Sequence, residues 1–479
     1  MGELAANAAL RCPGGPRAKV PRHMAAADDA SGVAGLEAFG YRQELRRSLG
    51  LFDLLVYGLL FIVPIAPMAV FGYVFNAGHG MVPLVYLIGS VAMVFTALSY
   101  MSMAHAFPVA GSLYSYAARS LGATVGFFAG WAILLDYLLL PTLNYVAVAI
   151  ALHSAFPQLP KPACVSVLLA FATAINYFGI EATARVNKAL LVVGIVILAV
   201  FIGAALVALQ HHVGAARFSL LPLYNPAELT PRVVFGALSL AVLSFLGFDA
   251  ISTLSEEARG GSRAVARATI LSLLVATALF MAQTWLASLF VLGRTQFPAG
   301  GATDTAFYDI AETIGGYGLK FLLTVPGFVV TGVAGALTAQ AATARLIYGM
   351  ARDRKLPHAL AHVHARRQVP ERAIFLVAGV TLLLGVLLVD ELELLTSMVC
   401  FGALLGFLLL HCSVVAHFIY RQHSRNWLRH LMVPIVGATI IGFVLWNAQA
   451  NAKIAGIAWL AAGLFVLIAQ RFVKSPTVA

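Results

Sequence analysis

The chain has 479 residues, 61% of them hydrophobic and only 11% charged, with 31 Lys and Arg against 20 Asp and Glu and a mean hydropathy of +0.89. A soluble domain is about a quarter charged, so a cytosolic enzyme, a secreted module and a disordered chain are excluded in favour of a polytopic α-helical membrane protein. The formal charge of +11 does not mark a nucleic-acid binder, because the basic residues sit in short loops between apolar runs.

Residues 1–45, rich in Ala, Gly, Arg and Asp and without a long apolar run, are predicted as a disordered, solvated cytoplasmic tail and not a signal peptide. Twelve runs long enough to cross a bilayer as helices follow, at 52–75, 82–105, 122–152, 163–180, 189–209, 232–255, 268–292, 319–348, 373–389, 394–420, 431–449 and 453–472. An even number puts both termini on one side. With the amino terminus inside, 25 of the 31 Lys and Arg fall on that side, against Lys161, Arg217, Arg232, Arg294, Lys320 and Lys453 on the other. Discounting the distant Arg11, Arg17, Lys19 and Arg22 leaves 21 against 6, and both termini are predicted cytoplasmic. The loop 351–372 is the most basic; its His358, His362 and His364 are spaced like metal ligands but read as solvated loop histidines. Cys12, Cys164, Cys400 and Cys412 read as free thiols.

An ionisable residue at the bilayer centre costs about 2.5–3.5 kcal/mol. Two carboxylates lie well inside predicted spans, Asp136 in the third and Asp249 in the sixth, with no Lys or Arg at comparable depth. Each is either protonated or visited by something cationic; the alternative is a hydrogen-bonded contact between helices. Pro64 and Pro67 weaken the first span, and Gly247 lies mid-membrane beside Asp249 in the sixth. Breaks at corresponding positions of two five-helix halves point to an inverted-repeat transporter with its site where the breaks meet, a simple kink being the alternative. In the third span Pro141 follows Asp136 by a turn, and Asn144 is expected on the face of Asp136, lining a pathway.

Four segments then become recognisable: Gly111-Ser112-Leu113-Tyr114-Ser115-Tyr116 after Phe107-Pro108; Gly130-Trp131 running to Leu135-Asp136-Tyr137; Phe245-Leu246-Gly247-Phe248-Asp249 with Ser255-Glu256-Glu257; and Ala344-Arg345-Leu346-Ile347-Tyr348-Gly349-Met350-Ala351-Arg352-Asp353 before Leu356-Pro357. In this order the chain resembles the amino acid, polyamine and organocation permease superfamily, and the segments around Asp136 and Asp249 look most like those of bacterial putrescine importers. The resemblance implies an all-α membrane protein with a LeuT-like fold: a ten-helix core of two inverted five-helix repeats over 46–420 and two additional transmembrane helices over 421–479. It also implies that the broken first helix lines a central site with Ile65, Ala66, Pro67, Met68 and Ala69, and the sixth with Ser244, Phe245, Gly247, Phe248 and Asp249. Asp249 stands where related exchangers place a proton-handling acid, and Asp136 matches an acid of cationic amino acid transporters.

The sequence departs from the family pattern at three places. Ala69 stands near where putrescine importers carry an aspartate; Val192-Val193-Gly194-Ile195 lacks the fifth-helix lysine of proton-coupled relatives, Lys188 lying near the span's end; and Val63-Pro64-Ile65-Ala66-Pro67 replaces a glycine-rich first-helix break. Two expectations stay open. One is an importer of a cationic amine such as putrescine, held between Asp136 and Asp249; the other is a neutral or cationic amino acid permease with Asp249, and Asp136 beside it, serving coupling to a proton or sodium ion. Phe248 is either a gate or packing, and Thr331, Gly332, Gly335 and Thr338 either bind sodium or permit close helix contact. No filter supports a channel, and no nucleophile, base or metal cluster supports an enzyme, His411 and His417 having no neighbouring acid. A sensor that does not transport is a further alternative. The expected partners are the small-molecule substrate and the lipid bilayer, with no cofactor, nucleic acid or obligate protein partner.

Overall fold

The computed structural model describes residues 42–109, 112–214, 216–298, 301–447 and 450–473; most of the predicted tail, with Cys12 and Gly111, lies outside the described residues. Among these, every regular element is helical. The first predicted span is two helices, α1 (Leu51–Ile62) and α2 (Ala66–Ala77), meeting at 44°. The prolines explain the break: neither can donate a backbone hydrogen bond, and Pro67 sits in the first turn of α2, where that donor would be spare. Val63 turns the chain with a left-handed φ of 61°, a strained conformation for a β-branched residue.

α3 (Val82–Ala106) and α5 (Ala123–Ala155) are separated by α4 (Ser112–Ser120), a short buried helix that the hydropathy pattern does not reveal. α6 (Lys161–Phe178) and α7 (Ile180–Gln210) are joined by Gly179 alone, whose φ of 118° suits only glycine. The sixth predicted span starts as α8 (Pro231–Ala241), continues as 3₁₀ turns over Val242–Phe245 and Phe248–Leu254 on either side of Gly247, and bends by 48°. Next comes α9 (Gly261–Leu289), then α10 (Ala306–Leu322), kinked at Gly315 and Gly316. A π turn at Leu323–Gly327 leads into α11 (Phe328–Arg352). The predicted eighth span, 319–348, therefore straddles the end of α10 and most of α11, because hydropathy does not register the turn between them. The remaining helices are α12 (Glu371–Leu387), α13 (Leu392–Val414, running on as a π turn to Arg421), α14 (Val433–Trp446) and α15 (Ala450–Val473).

Among the described residues, eight helices are long and apolar enough to cross a membrane, or ten when each bent pair is one span. Two contrasting helices show where the bundle's centre lies. Every residue of α11 from Thr331 to Ala351 is buried, as in a helix surrounded by others. α7 instead leaves Val192, Val193, Val196, Val200 and Val207 exposed, an apolar face for lipid.

The end of the bundle that carries the basic loop 351–372 is tightly closed. Ser48 and Leu49 donate backbone N–H groups to the Glu257 carbonyl, both at 3.1 Å, and Arg259 N–H donates to the Leu49 carbonyl at 2.9 Å. Arg345 grips both carboxylate oxygens of Glu257, its Nη2 at 2.8 Å from Oε1, and Arg352 does the same to Glu256 at 2.8 and 3.1 Å. Burial is not confined to Asp136 and Asp249: just past the predicted sixth span Glu256 and Glu257 are 0% exposed, and Arg345 is 2% exposed. Sequence alone cannot reveal such pairs, whose members are 96 and 88 residues apart.

Candidate functional site

The two breaks meet. Phe61, two residues before Val63, packs on Gly247 so closely that a Cβ there would run into its ring. Gly247 also has a left-handed φ of 109°, so the position requires glycine twice over. Pro64, lacking its own donor, exposes a carbonyl that accepts from Gln283 Nε2 of α9 at 2.9 Å.

Two residues past Gly247 lies Asp249, fully buried. Its Oδ2 accepts hydrogen bonds from Tyr137 of α5 at 2.5 Å and Tyr100 of α3 at 3.2 Å. Its Oδ1 is buried without a hydrogen-bond partner. These donors are neutral hydroxyls, so the carboxylate is held in place but its charge is not cancelled, in contrast to Glu256 and Glu257. Ser252 donates to the Asp249 carbonyl at 2.6 Å and shares a 2.6 Å hydrogen bond with Ser112, tying the 3₁₀ turn to α4.

Tyr137 is aimed by a proline. Pro141 cannot donate to the carbonyl four residues back, and Thr343 Oγ1 of α11 takes that Tyr137 carbonyl at 2.5 Å. Asp136, one residue earlier, points roughly 100° away around α5. Gly402 of α13 packs against its backbone, where a Cβ would lie 2.9 Å from Asp136 N. Both carboxylate oxygens of Asp136 are buried without a hydrogen-bond partner. The structure does not bring it into the hydrogen-bonded cluster around Asp249.

The expected common face of Asp136 and Asn144 is corrected. Eight residues leave them roughly 80° apart, whereas Asn144 is within roughly 20° of Tyr137. Asn144 accordingly reaches the first break: a Cβ on Gly335 of α11 would lie 3.0 Å from both Asn144 Nδ2 and the Val63 side chain. That Nδ2 has no hydrogen-bond partner.

The other expected lining residues divide. Ile65, Pro67 and Met68 are buried at the start of α2, Ala66 is half-buried and Ala69 is exposed. Phe248 packs edge-on to Tyr100 at 6.1 Å and beside Phe407 of α13 at 5.7 Å. Ser244 bonds Tyr86 at 2.9 Å, and Phe245 packs against Tyr86 and Phe280 at 5.9 and 5.2 Å, so this pair faces α3 and α9. The sequence pattern missed Tyr100, Tyr137 and Gln283; the one local signal for them was Tyr137 standing a turn before Pro141. His411 is buried and interacts with Ser99 and Thr96 at 3.0 and 3.3 Å, a contact between α13 and α3. Among the described residues no group of three or more His, Cys, Asp or Glu could hold a metal ion.

A family model described as amino acid permease matches residues 53–473. The chain is 31% identical to the low-affinity putrescine importer PlaP of Escherichia coli (strain K12), over 89% of this chain and 94% of that protein. It is 25% identical to the branched-chain amino acid permease BcaP of Bacillus subtilis (strain 168), over 88% and 93%. It is also 25% identical to the methylthioribose transporter of the same organism, over 90% and 94%.

Proposed function

Because the chain belongs to the amino acid permease family, we propose that this multi-pass membrane transporter, which is not an enzyme, is a secondary active importer of a cationic amine such as putrescine. The observation that carries this reading is Asp249: a buried carboxylate just past the break of the sixth span, oriented by two tyrosine hydroxyls, with one oxygen unpartnered. An ammonium group reaching Oδ1 makes a charge-assisted hydrogen bond and offsets the desolvation of the acid. The first break suits the same cargo. Its two prolines remove donors that a substrate carboxylate would need, and the Pro64 carbonyl is already engaged by Gln283.

The proposed site is therefore built around Asp249, with Tyr100 and Tyr137 orienting it, Asn144 and the segment Ile65–Ala69 beside it and Phe248 as the aromatic cover. Ser244 and Phe245 support the bend from behind. Asp136 is assigned to the buried side of α5 that packs on α13, outside this cluster. The bends at α1–α2 and at Gly247 are the hinges of alternating access, and the Glu256–Arg352 and Glu257–Arg345 pairs hold the basic end shut. Coupling to a proton or sodium ion, with Asp249 as the group that responds, belongs to the same proposal.

The ten spans counted with each bent pair as one, with α12 and α15 added, support twelve spans. Bends in the first and sixth support two inverted five-helix repeats; the proposed transport core is 46–420, with two additional helices over 421–479. The excess of Lys and Arg supports cytoplasmic termini.

A second reading is an amino acid permease in which Asp249 serves coupling alone. It is favoured by Ala69, which is exposed and supplies no second carboxylate, and by the branched-chain amino acid permease among the relatives. Uptake of labelled putrescine into proteoliposomes, competed by arginine and alanine with and without proton or sodium gradients, separates the two. Saturable putrescine uptake that amino acids do not compete is expected; amino acid uptake indifferent to putrescine overturns the amine reading.

A further inference from the structure

We propose that the cleft between the α6–α7 junction and the loop 351–372 is a binding site for the phosphodiester headgroup of an anionic phospholipid. The cleft, of about 430 Å³, is lined by Arg46, Arg185, Arg366 and Arg367, with Glu181 as the single acid. These arginines come from three segments, the approach to α1, the first turns of α7 and the basic loop. A bias of positive charge toward one face scatters residues over it and does not by itself gather four around one cavity. Glu181 engages Arg46 at 3.1 Å and leaves three cations in excess.

Two further features face the same cleft. Gly179 is the N-cap of the 31-residue α7 and supplies no side-chain cap, so the first N–H groups of a long helix are left for an anion. Arg367 stacks 3.9 Å above the Tyr177 ring, and its Nη1 is shielded from solvent without a hydrogen-bond partner. The turn that carries it is fixed by the backbone N–H groups of Arg366 and Arg367, which donate to His364 Nδ1 at 3.2 and 3.3 Å. A phosphate oxygen satisfies the orphan donor and the helix start together.

The choice of a lipid over a soluble phosphate follows from the walls. Phe178, on the rim, is 65% exposed, and Phe375 of α12, which packs on Tyr177 at 5.4 Å, is 53% exposed. The cleft thus joins a cationic floor to an apolar side face, the shape of a headgroup with its acyl chains. Basic pockets between helices on the cytoplasmic side are where such headgroups are held. Assignment to the inner leaflet rests on the cytoplasmic orientation proposed above; the binding chemistry does not.

The test is native mass spectrometry of the delipidated full chain titrated with phosphatidylglycerol or with phosphatidylcholine of the same acyl chains. Wild type is expected to retain phosphatidylglycerol preferentially. Arg185→Gln with Arg366→Gln, two exposed side chains, is expected to weaken that binding about 30-fold while leaving phosphatidylcholine adducts and thermal stability unchanged. Each single change is expected to weaken it about fivefold, which keeps the test open if the double variant does not purify. Arg425→Gln, an exposed charge away from the cleft, is expected to change nothing. Equal retention of the two lipids, or an equal loss with Arg425→Gln, overturns the site. Displacement of the lipid by inorganic phosphate or glycerol 3-phosphate at millimolar concentration overturns its assignment to lipid. Labelling of Arg366→Cys by an impermeant thiol reagent, in a cysteine-free background and right-side-out vesicles, tests the orientation separately; modification from outside removes the inner-leaflet assignment and leaves the binding result standing.

Discussion

Asp249 and Glu257 lie eight residues apart in one segment, both fully buried, and are satisfied in opposite ways. Glu257 meets an arginine whose two donors match its two oxygens. Asp249 meets two tyrosines that bind one oxygen and leave the other without a partner. A fully paired buried acid fixes structure, and breaking the pair strands a charge. A buried acid held only by neutral donors keeps its capacity for a cation. The first belongs to the closed end of the bundle and the second to the place where the helices break.

The largest expected effect breaks the paired side. Arg345→Met leaves Glu257 uncompensated and is expected to destabilise the protein by about 3–5 kcal/mol, read as a fall in unfolding temperature in detergent. Adding Glu257→Gln should recover at least half of it, and a double variant no better than the single would show that the pair does not hold this end. Asp249→Asn is next. Its amide oxygen still accepts from both tyrosines, so stability is expected to hold, while putrescine uptake falls about 10- to 100-fold through loss of a charge-assisted contact. Wild-type uptake by this variant at every pH would remove Asp249 from the site.

Smaller changes sharpen the contrast. Tyr137→Phe is expected to reduce uptake about tenfold and Tyr100→Phe by less, following their 2.5 and 3.2 Å hydrogen bonds to Asp249; the reverse order in transport assays contradicts the proposed orienting role. Asp136→Asn is expected to alter uptake less than about threefold and to leave the preference for cationic over neutral substrates unchanged, since its carboxylate lies outside the hydrogen-bonded cluster. A switch toward neutral substrates in competition assays would return Asp136 to the centre.

Asp249 and the bends were legible in the sequence because their signals are local. A carboxylate in an apolar run and prolines three apart are visible without knowing any neighbour. The partners of Asp249 were not legible. Tyr100 and Tyr137 are ordinary aromatics of apolar helices until folding brings them 149 and 112 residues across the chain to one oxygen. Asp136 illustrates the same limit: its depth can be read from hydropathy, but its direction depends on which side of α5 meets α13. Asn144 was expected on the face of Asp136, but its angular position matches Tyr137.

The sequence by itself determined that the chain is a bundle of membrane-crossing helices, where the apolar runs lie, how Lys and Arg are biased between the loops, and where the first and sixth spans weaken. Each follows from hydropathy, charge or backbone chemistry within a window of about 20 residues. Tertiary structure alone decided that Phe61 closes over Gly247, that Gln283 takes the carbonyl of Pro64, and that Glu256 and Glu257 are cancelled by arginines while Asp249 is not. Helix packing brings together groups roughly 100 to 200 residues apart, and whether a buried charge is structural or functional depends on which group arrives beside it.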